Sequence, residues 1–258
     1  MTAAHRVLTA LARLPSADLD EILAPGPALV LAPHPDDESL GCGGLIAECA
    51  ARGREVHVAI LTDGGMSHPG SAAWPPRRLA MQRGAEVREA TMSLGLPAAR
   101  LHLLGEPDGD APHDGPRFAA ALARVEDLIR SSEVTTILAS WVADPHGDHG
   151  SAHKLAAAAA QTLGIRHLAY PVWSWMLGDD DEIAEACIPR GPGPGAIRGA
   201  RLDIGAHLSA KRRAIAAHRS QGGELIHDDP RGFVLPAAFL AMFDRPWEVY
   251  LRVGPEQP

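Results

Sequence analysis

The chain has 258 residues, of which 46% are apolar and 22% are charged, a balance typical of a soluble globular protein. A chain of this length buries roughly 70–75% of its unfolded surface, so a metal or disulfide is not needed for folding. Any bound metal is therefore expected to be catalytic. The net charge of −8 argues against nucleic acid and anionic membranes as partners, because both favour clustered lysines and arginines.

The cysteines and the apolar runs indicate the cellular location of the protein. Cys42, Cys49 and Cys187 form no disulfide framework, which favours reduced thiols and a cytoplasmic location. No apolar run approaches the ~20 residues of a membrane span, and the N-terminus lacks a signal-peptide core. The one basic cluster is interpreted as a solvated helix face, because acidic residues lie close on both sides of it. Its members are Arg198, Arg201, Lys211, Arg212 and Arg213.

Short β-type apolar runs alternate with longer helical patterns, which predicts a parallel sheet built from βαβ units. In chain order we predict a strand at 27–33, a helix at 40–52, a strand at 55–62, a helix at 76–94, a strand at 100–104, a helix at 116–132, a strand at 134–141, a helix at 151–163, a strand at 165–173, a loop at 188–200, a helix at 207–219, and an apolar helix and a short strand within 233–253. We expect a single doubly wound, Rossmann-like α/β domain over residues 1–258, with a mostly parallel sheet, helices on both faces and a decorated C-terminal third. Such folds bind ligands at the carboxyl ends of their strands.

The first strand is followed at once by a histidine and three acids, His34-Pro35-Asp36-Asp37-Glu38. Adjacent carboxylates repel one another and raise one another's pKa unless a cation lies among them. A single acid here would be explained as a helix cap. A histidine together with three acids at a strand end favours metal binding instead.

The fourth strand is followed by a second cluster, in which three histidines and two aspartates occupy ten residues. Its members are Asp144, His146, Asp148, His149 and His153. Combined with the first cluster, it offers a set of two histidines and one carboxylate, which suits a catalytic zinc with an open position. The same set suits non-haem iron, so spacing alone does not separate zinc from iron or manganese.

Together these motifs resemble the LmbE/PIG-L family of zinc-dependent N-acetylglucosamine-type deacetylases. The resemblance rests on Pro-His-Pro-Asp-Asp-Glu after the first strand and on His-x-Asp-His after a later one. Three further segments match: Arg83-x-x-Glu86-x-x-x-Ala90-x-x-x-Leu94-Gly95, Pro107-Asp108-Gly109 and Lys211-x-x-Ala214-x-x-x-His218-x-Ser220-Gln221. The part of the chain that carries the motifs extends from about residue 27 to about residue 221.

The resemblance implies a role for each matched residue at the metal. His34, Asp37 and His149 would hold one Zn²⁺ per chain, with Fe²⁺ or Mn²⁺ as alternatives. Asp36, adjacent to a ligand but unbound, would be the general base.

The resemblance also implies the groups that act on the substrate. His146 would stabilise the tetrahedral intermediate and protonate the leaving amine, and Asp148 would orient His146. Arg83 and Asp108 match positions that contact sugar hydroxyls in some relatives.

The expected reaction is hydrolysis of an N-acetyl or other N-acyl amide on an amino-sugar-containing small molecule or glycoconjugate, which releases acetate and a free amine. Residues 64–76 and 176–200 are the expected specificity loops, and a homo-oligomer is compatible with the sequence.

Two other classes of function stay open at this point. A metal-dependent phosphoesterase would use the same residue types, but two-metal sites hold their ions ~3.5–4 Å apart and ligands for only one ion are well defined. A non-catalytic relative that binds a glycan or a nucleotide is the second alternative. A nucleotide module is disfavoured because the glycines at 41, 43 and 44 follow three acids, which repel phosphate, and no Gly-x-Gly-x-x-Gly is present.

Overall fold

Eight strands form one mixed sheet in the computed structural model of the protein, which describes residues 2–178 and 197–253. The strands are β1 (Ser16–Ala17), β2 (Ala28–Ala32), β3 (Val56–Thr62), β4 (Leu101–Glu106), β5 (Thr136–Ser140), β6 (Arg166–Tyr170), β7 (Gly199–Asp203) and β8 (Trp247–Arg252). Their order is β1-β7-β8-β6-β5-β2-β3-β4. Strand β8 is antiparallel to β6 and β7, and the other neighbouring pairs are parallel.

Helices connect the strands and cover the sheet. Those described are α1 (Ala3–Ala12), α2 (Leu19–Ile22), α3 (Asp37–Ala51), α4 (Pro76–Ser93), α5 (Gly115–Ser131), α6 (Gly147–Leu163), α7 (Leu208–Ala217) and α8 (Ala237–Leu240). Short 3₁₀ turns occur at Ala98–Arg100, Trp173–Met176, Gly205–His207 and Ala241–Phe243.

Strand β2 shows why the sheet is buried on both faces. Its five residues, Ala-Leu-Val-Leu-Ala, are all buried, and successive side chains point to opposite faces. Val30 belongs to a core shared with α1, α3 and α7, whereas Leu29 and Leu31 belong to a core shared with α5 and α6. The predicted fold class, a mostly parallel sheet with helices on both faces, is confirmed.

Two predicted helices begin earlier than expected, and both carry site residues. Helix α3 begins at Asp37 rather than at residue 40, and α6 begins at Gly147 rather than at residue 151. In α6 the cause is local, because the His146 ring accepts a hydrogen bond from the Asp148 amide and caps the helix. Asp37 and His149 therefore lie within first helical turns.

The predicted loop at 188–200 is partly wrong. Residues 199 and 200 begin strand β7, which pairs with β8, and residues 188–196 lie outside the described residues. Gly199 fits this pairing because a Cβ there would lie 2.2 Å from the Tyr250 carbonyl oxygen.

The basic cluster is also not a purely solvated face. Lys211 is 2% exposed, and its Nζ lies 2.7 Å from Glu248 Oε1. Arg212 and Arg213 are exposed, as predicted. Lys211 differs because α7 turns it toward the sheet, where Glu248 of β8 compensates its charge.

Cys42 and Cys49 are buried free thiols, and Cys187 lies outside the described residues. No helix in the described ranges is long and apolar enough to cross a bilayer. A single domain spanning residues 1–258 stays a prediction.

Candidate metal centre and active site

The two clusters meet at the carboxyl edge of the sheet. Strand β2 ends at Ala32, just before the first cluster, and β5 ends at Ser140, just before the second. Because β2 and β5 are parallel neighbours, the loops that follow them are adjacent.

Three side chains from these loops converge on one point. Asp37 Oδ2 lies 3.1 Å from His34 Nδ1 and 3.2 Å from His149 Nε2. All three residues are buried, and His149 Nε2 forms no hydrogen bond with any described residue. Two ligands at about 2.0–2.1 Å from a tetrahedral metal lie about 3.3 Å apart. The spacing and the unbonded nitrogen thus fit a divalent metal held by His34, Asp37 and His149.

The opposite nitrogens of both histidines face carboxylates. His149 Nδ1 lies 2.9 Å from Asp144 Oδ2. His34 Nε2 lies 3.0 Å from Asp148 Oδ2 and 3.3 Å from Asp108 Oδ1. Such carboxylate–histidine contacts fix the tautomer and leave the other nitrogen free to bind a metal.

Asp144 was not assigned a role from the sequence, although it belongs to the second cluster. Its carboxylate accepts hydrogen bonds from the Val172 amide at 3.1 Å, from the Ser174 amide at 2.8 Å and from the Ser174 hydroxyl. These donors follow β6, so the contact depends on tertiary structure. Sequence spacing gave no signal for it.

The Asp148 carboxylate does not contact the residue that it was predicted to orient. It accepts the amides of Gly109 at 2.8 Å and Ala111 at 3.0 Å and faces His34, rather than orienting His146. The contact with His146 instead comes from the main chain, where the Asp148 amide donates to His146 Nδ1 at 3.2 Å. The first turn of α6 places this amide toward the ring.

His146 is the exposed member of the centre. His34, His146 and His149 each place one ring nitrogen within 4.8 Å of those of the other two. Because Nδ1 accepts the Asp148 amide, a neutral His146 ring carries its proton on Nε2. Burial, together with the charges of His34 and His149, lowers the pKa of His146.

Asp36 directly precedes the candidate ligand Asp37 and has an unusual backbone conformation. Its φ of 141° makes it one of two non-glycine residues with positive φ in the described ranges. Such conformations cost on the order of 1–3 kcal/mol. Burial raises the pKa of Asp36 to about 6, although the charge of Arg83 opposes the shift.

The two residues predicted to contact sugar hydroxyls already have protein partners. Arg83 is 3% exposed, and its Nη2 donates to the Pro35 carbonyl at 2.7 Å and to Asp36 Oδ2 at 3.1 Å. Asp108 accepts the Met66 amide at 2.8 Å, in addition to facing His34. Both lie at the centre as supports for its residues, and their contact with a sugar stays a prediction.

The electrostatics favour a cation among the three candidate ligands. Although burial opposes it, His149 and His34 hold the pKa of Asp37 below its usual range. Burial alone would lower the pKa of His149, but Asp37 and Asp144 raise it to about 9. The carboxylates around both rings therefore create a negative potential that stabilises positive charge at this point.

Fold and site together define a doubly wound α/β protein with a histidine–aspartate centre for a divalent metal at the carboxyl edge of its sheet. A family model described as "PIG-L: GlcNAc-PI de-N-acetylase" matches residues 29–160, just over half of the chain. The chain belongs to the PIG-L family. This confirms the family predicted from the motifs and, with it, the class of enzyme, a hydrolase of N-acetyl amide bonds.

Individual relatives agree with the family. The chain is 31% identical over 224 residues to a 1D-myo-inositol 2-acetamido-2-deoxy-α-D-glucopyranoside deacetylase of Saccharomonospora viridis, with 73% of this chain and 82% of the relative covered. It is 30% identical over 227 residues to a 2'-N-acetylparomamine deacetylase of Streptomyces fradiae, with 80% and 77% covered. The crystal structure of the conserved protein TT1542 from Thermus thermophilus superposes with a TM-score of 0.61 at 27% identity, covering 90% of this chain and 96% of that one.

Proposed function

We propose that the protein is a zinc-dependent N-deacetylase that hydrolyses the N-acetyl group of an amino-sugar-containing small molecule, releasing acetate and a free amine. The observation that carries the proposal is the convergence of His34 Nδ1, Asp37 Oδ2 and His149 Nε2 beside a separate buried carboxylate, that of Asp36. A purely structural site would need no unliganded acid next to it.

His34, Asp37 and His149 would hold the ion, and their two nitrogens and one carboxylate are a donor set that zinc accepts. Zinc, when bound by such a set, lowers the pKa of a water molecule to ~7 and polarises a carbonyl oxygen. The contacts of His149 with Asp144 and of His34 with Asp148 keep both rings in the tautomer that binding requires.

Asp36 would accept the proton of the attacking water as the water adds to the amide carbon. A general base must lie within ~3 Å of the proton that it removes. The positive φ of Asp36 departs from the regular backbone that would direct the adjacent Asp36 and Asp37 side chains apart. Arg83 holds one oxygen of Asp36 at 3.1 Å and so fixes the direction of the carboxylate.

His146 would act on the carbonyl oxygen of the substrate amide. Its Nε2–H can donate to the oxygen that becomes negative when the tetrahedral intermediate forms, and the exposed position leaves it open to the substrate. When the C–N bond breaks, the proton that Asp36 accepted from the water would pass to the leaving nitrogen, so that acetate and the free amine are released and Asp36 is a carboxylate again. The Asp148 amide orients the ring throughout.

The relatives indicate the substrate class. The two curated relatives are named for an N-acetylglucosamine–inositol glycoside and for N-acetylparomamine, and both compounds carry an acetylated amino sugar. We infer a substrate of this kind for the present chain. Zinc as the ion, the cytoplasmic location, the homo-oligomer and the absence of a nucleic-acid partner stay predictions.

The test is primary-amine release by the zinc-loaded protein from a panel of N-acetylated sugars. The panel contains N-acetylglucosamine, its inositol glycoside, its malate glycoside and short chitin oligomers. We expect release from at least one compound by the wild type and a loss of about 10²–10³-fold in His146→Ala, the typical cost of removing one such donor. Undiminished release by His146→Ala would contradict the role of His146, and failure of zinc to bind would contradict the proposal as a whole.

A further inference from the structure

Glu38 is the third acid of the first cluster, and the proposed chemistry gives it no task. Its side chain is fully buried, at 0% exposure, in the first turn of α3. A buried carboxylate is costly unless its oxygens accept hydrogen bonds, so its partners indicate what it does.

Both oxygens of Glu38 have partners. Oε2 accepts the backbone amide of Asp36 at 3.0 Å. Oε1 accepts the Ser39 hydroxyl at 2.6 Å and lies 3.2 Å from His218 Nε2. His218, 2% exposed, comes from the end of α7, so a Glu38–His218 pair connects the Asp36 amide to a distant helix.

The hydrogen bond from the Asp36 amide to Glu38 occurs together with an unusual backbone conformation at Asp36. Successive side chains diverge by about 100° in a helix and by about 180° in a strand, so regular backbone cannot aim two adjacent carboxylates at one centre. At Asp36 the backbone departs from both, with a φ of 141° and a ψ of −30°. The departure lies directly before Asp37, where α3 begins.

No capping side chain of Asp36 itself stabilises this turn. The Asp36 carboxylate makes no cap hydrogen bond to α3 and is paired with Arg83 instead. The backbone amide of Asp36 is held by Glu38, and its carbonyl accepts the amides of Ser39 and Leu40. Among these contacts, the one from Glu38 is a side-chain contact and can be removed by substitution.

We propose that Glu38, supported by His218, is a positioning residue that holds Asp36 in its positive-φ conformation and thereby directs the Asp36 carboxylate to the metal centre. The inference rests on the proposed function, in which Asp36 is the general base. It predicts that removing the Glu38 carboxylate acts on turnover through Asp36 alone.

The first test is the crystal structure of the zinc-loaded Glu38→Ala variant beside that of the wild type. We expect φ of Asp36 to leave the positive region in Glu38→Ala and to stay there in Glu38→Gln, whose amide oxygen can still accept the Asp36 amide. An unchanged Asp36 conformation in Glu38→Ala would overturn the inference. This readout does not depend on catalysis, so it separates failure of the inference from failure of the proposed function.

The matched control is Glu86→Ala. Glu86 is also buried, at 1% exposure, and accepts the Ser220 amide at 3.0 Å and the Ser220 hydroxyl at 2.6 Å. It therefore connects α4 to the same region beyond α7 without touching Asp36. We expect Glu86→Ala to lower thermal stability and to leave the Asp36 conformation unchanged, whereas a shift of Asp36 in this control would show that any buried carboxylate of the region suffices.

The second test is a double-mutant cycle in amine release from the N-acetylglucosamine–inositol glycoside. We expect Glu38→Ala to lower kcat by about 10²-fold, the scale of a 1 Å misplacement, with KM and zinc content unchanged. In an Asp36→Ala background, Glu38→Ala should cost nothing further, since it acts through the missing group. An equal loss in both backgrounds would contradict positioning, and a fully active Asp36→Ala would instead contradict the proposed base.

His218 provides the variants to use if Glu38→Ala does not fold. His218→Leu removes the partner of Glu38, and His218→Gln can restore an N–H donor near the position of Nε2. The inference requires a lower kcat in His218→Leu and recovery in His218→Gln. Equal activity of the two variants would overturn the role of His218.

Discussion

Asp144 lies outside the proposed ligand set but contacts one of its histidines. It lies 2.9 Å from His149 Nδ1, is buried, and is itself fixed by the Val172 and Ser174 amides. We expect Asp144→Ala to lower metal affinity by about 10–100-fold, the usual effect of losing a carboxylate partner of a metal-binding histidine. Competition with a chelator of known affinity measures the change.

Asp110→Ala is the control for this variant, because Asp110 is exposed and its carboxylate accepts a hydrogen bond from Arg117. Its metal affinity should equal that of the wild type. An Asp144→Ala protein that folds and holds metal as tightly as the control would refute the assignment.

At the scale of residues, the sequence predicted which side chains gather and missed how they are connected. His34, Asp37 and His149 come together as their motif spacing and strand-end positions suggest. The partner of Asp148 was not predictable, because whether its carboxylate meets His146 or His34 depends on a rotation of the first turn of α6. Hydrogen bonds between distant segments leave no periodic pattern in a sequence.

At the scale of elements, the glycines of α3 allow close packing against the sheet. A Cβ at Gly41 would lie 2.2 Å from the ring of Tyr170, which is itself fully buried. We expect Gly41→Ala to lower the free energy of unfolding by about 1–3 kcal/mol or more, because the ring has no room to move. Chemical denaturation measures the effect.

Gly84 of α4 is the matched comparison. A Cβ there would meet only side-chain atoms, at 3.4 Å and beyond. Gly84→Ala should therefore raise the free energy of unfolding by about 0.5–1 kcal/mol, the gain from replacing glycine within a helix. Equal changes in the Gly41 and Gly84 variants would contradict the packing argument.

Strand β6 contains a histidine that should make the fold sensitive to acid. Burial, with a smaller effect of His153, lowers the pKa of His167 from 6.5 to about 3. The unfolded chain therefore binds the proton more readily, so the contribution of neutral His167 is complete above pH 6.5 and is lost as pH falls toward 3. Between pH 6.5 and 5 the loss is about 2 kcal/mol, at about 1.4 kcal/mol per pH unit.

We expect His167→Phe to reduce this loss of unfolding free energy between pH 6.5 and 5 by about the same 2 kcal/mol. Denaturation curves at several pH values measure the unfolding free energy. An identical pH dependence of this free energy in the wild type and His167→Phe would refute the prediction.

The elements themselves were predictable where local pattern determines them. Strands β2, β3 and β5 and helices α4 and α5 lie within one or two residues of their predicted bounds, because strong apolar runs and helix-end signals define them. Strand β7 was missed because its glycine-rich start indicates a loop, and its strand conformation comes from pairing with β8 some fifty residues later.

At the scale of the whole molecule, the strand order of the sheet determines where the site lies. The two clusters are more than a hundred residues apart in the chain, and the direct pairing of β2 with β5 places them side by side. The carboxyl ends of parallel strands lie at one edge of the sheet, so the fold class places both clusters at that edge, and the strand order makes them neighbours. The antiparallel β8 lies next to β6 in the same sheet, and its Glu248 accepts the amides of Gly44 and Leu45 in α3.

Zinc content per chain, measured together with amine release in the wild type, Asp36→Ala and His149→Ala, tests whether one ion and the separate Asp36 carboxylate carry the reaction. We expect one zinc in the wild type, one zinc in Asp36→Ala with turnover lower by about 10²–10⁴-fold, and loss of both zinc and turnover in His149→Ala. Full zinc in His149→Ala, or near wild-type turnover by Asp36→Ala, would contradict this expectation.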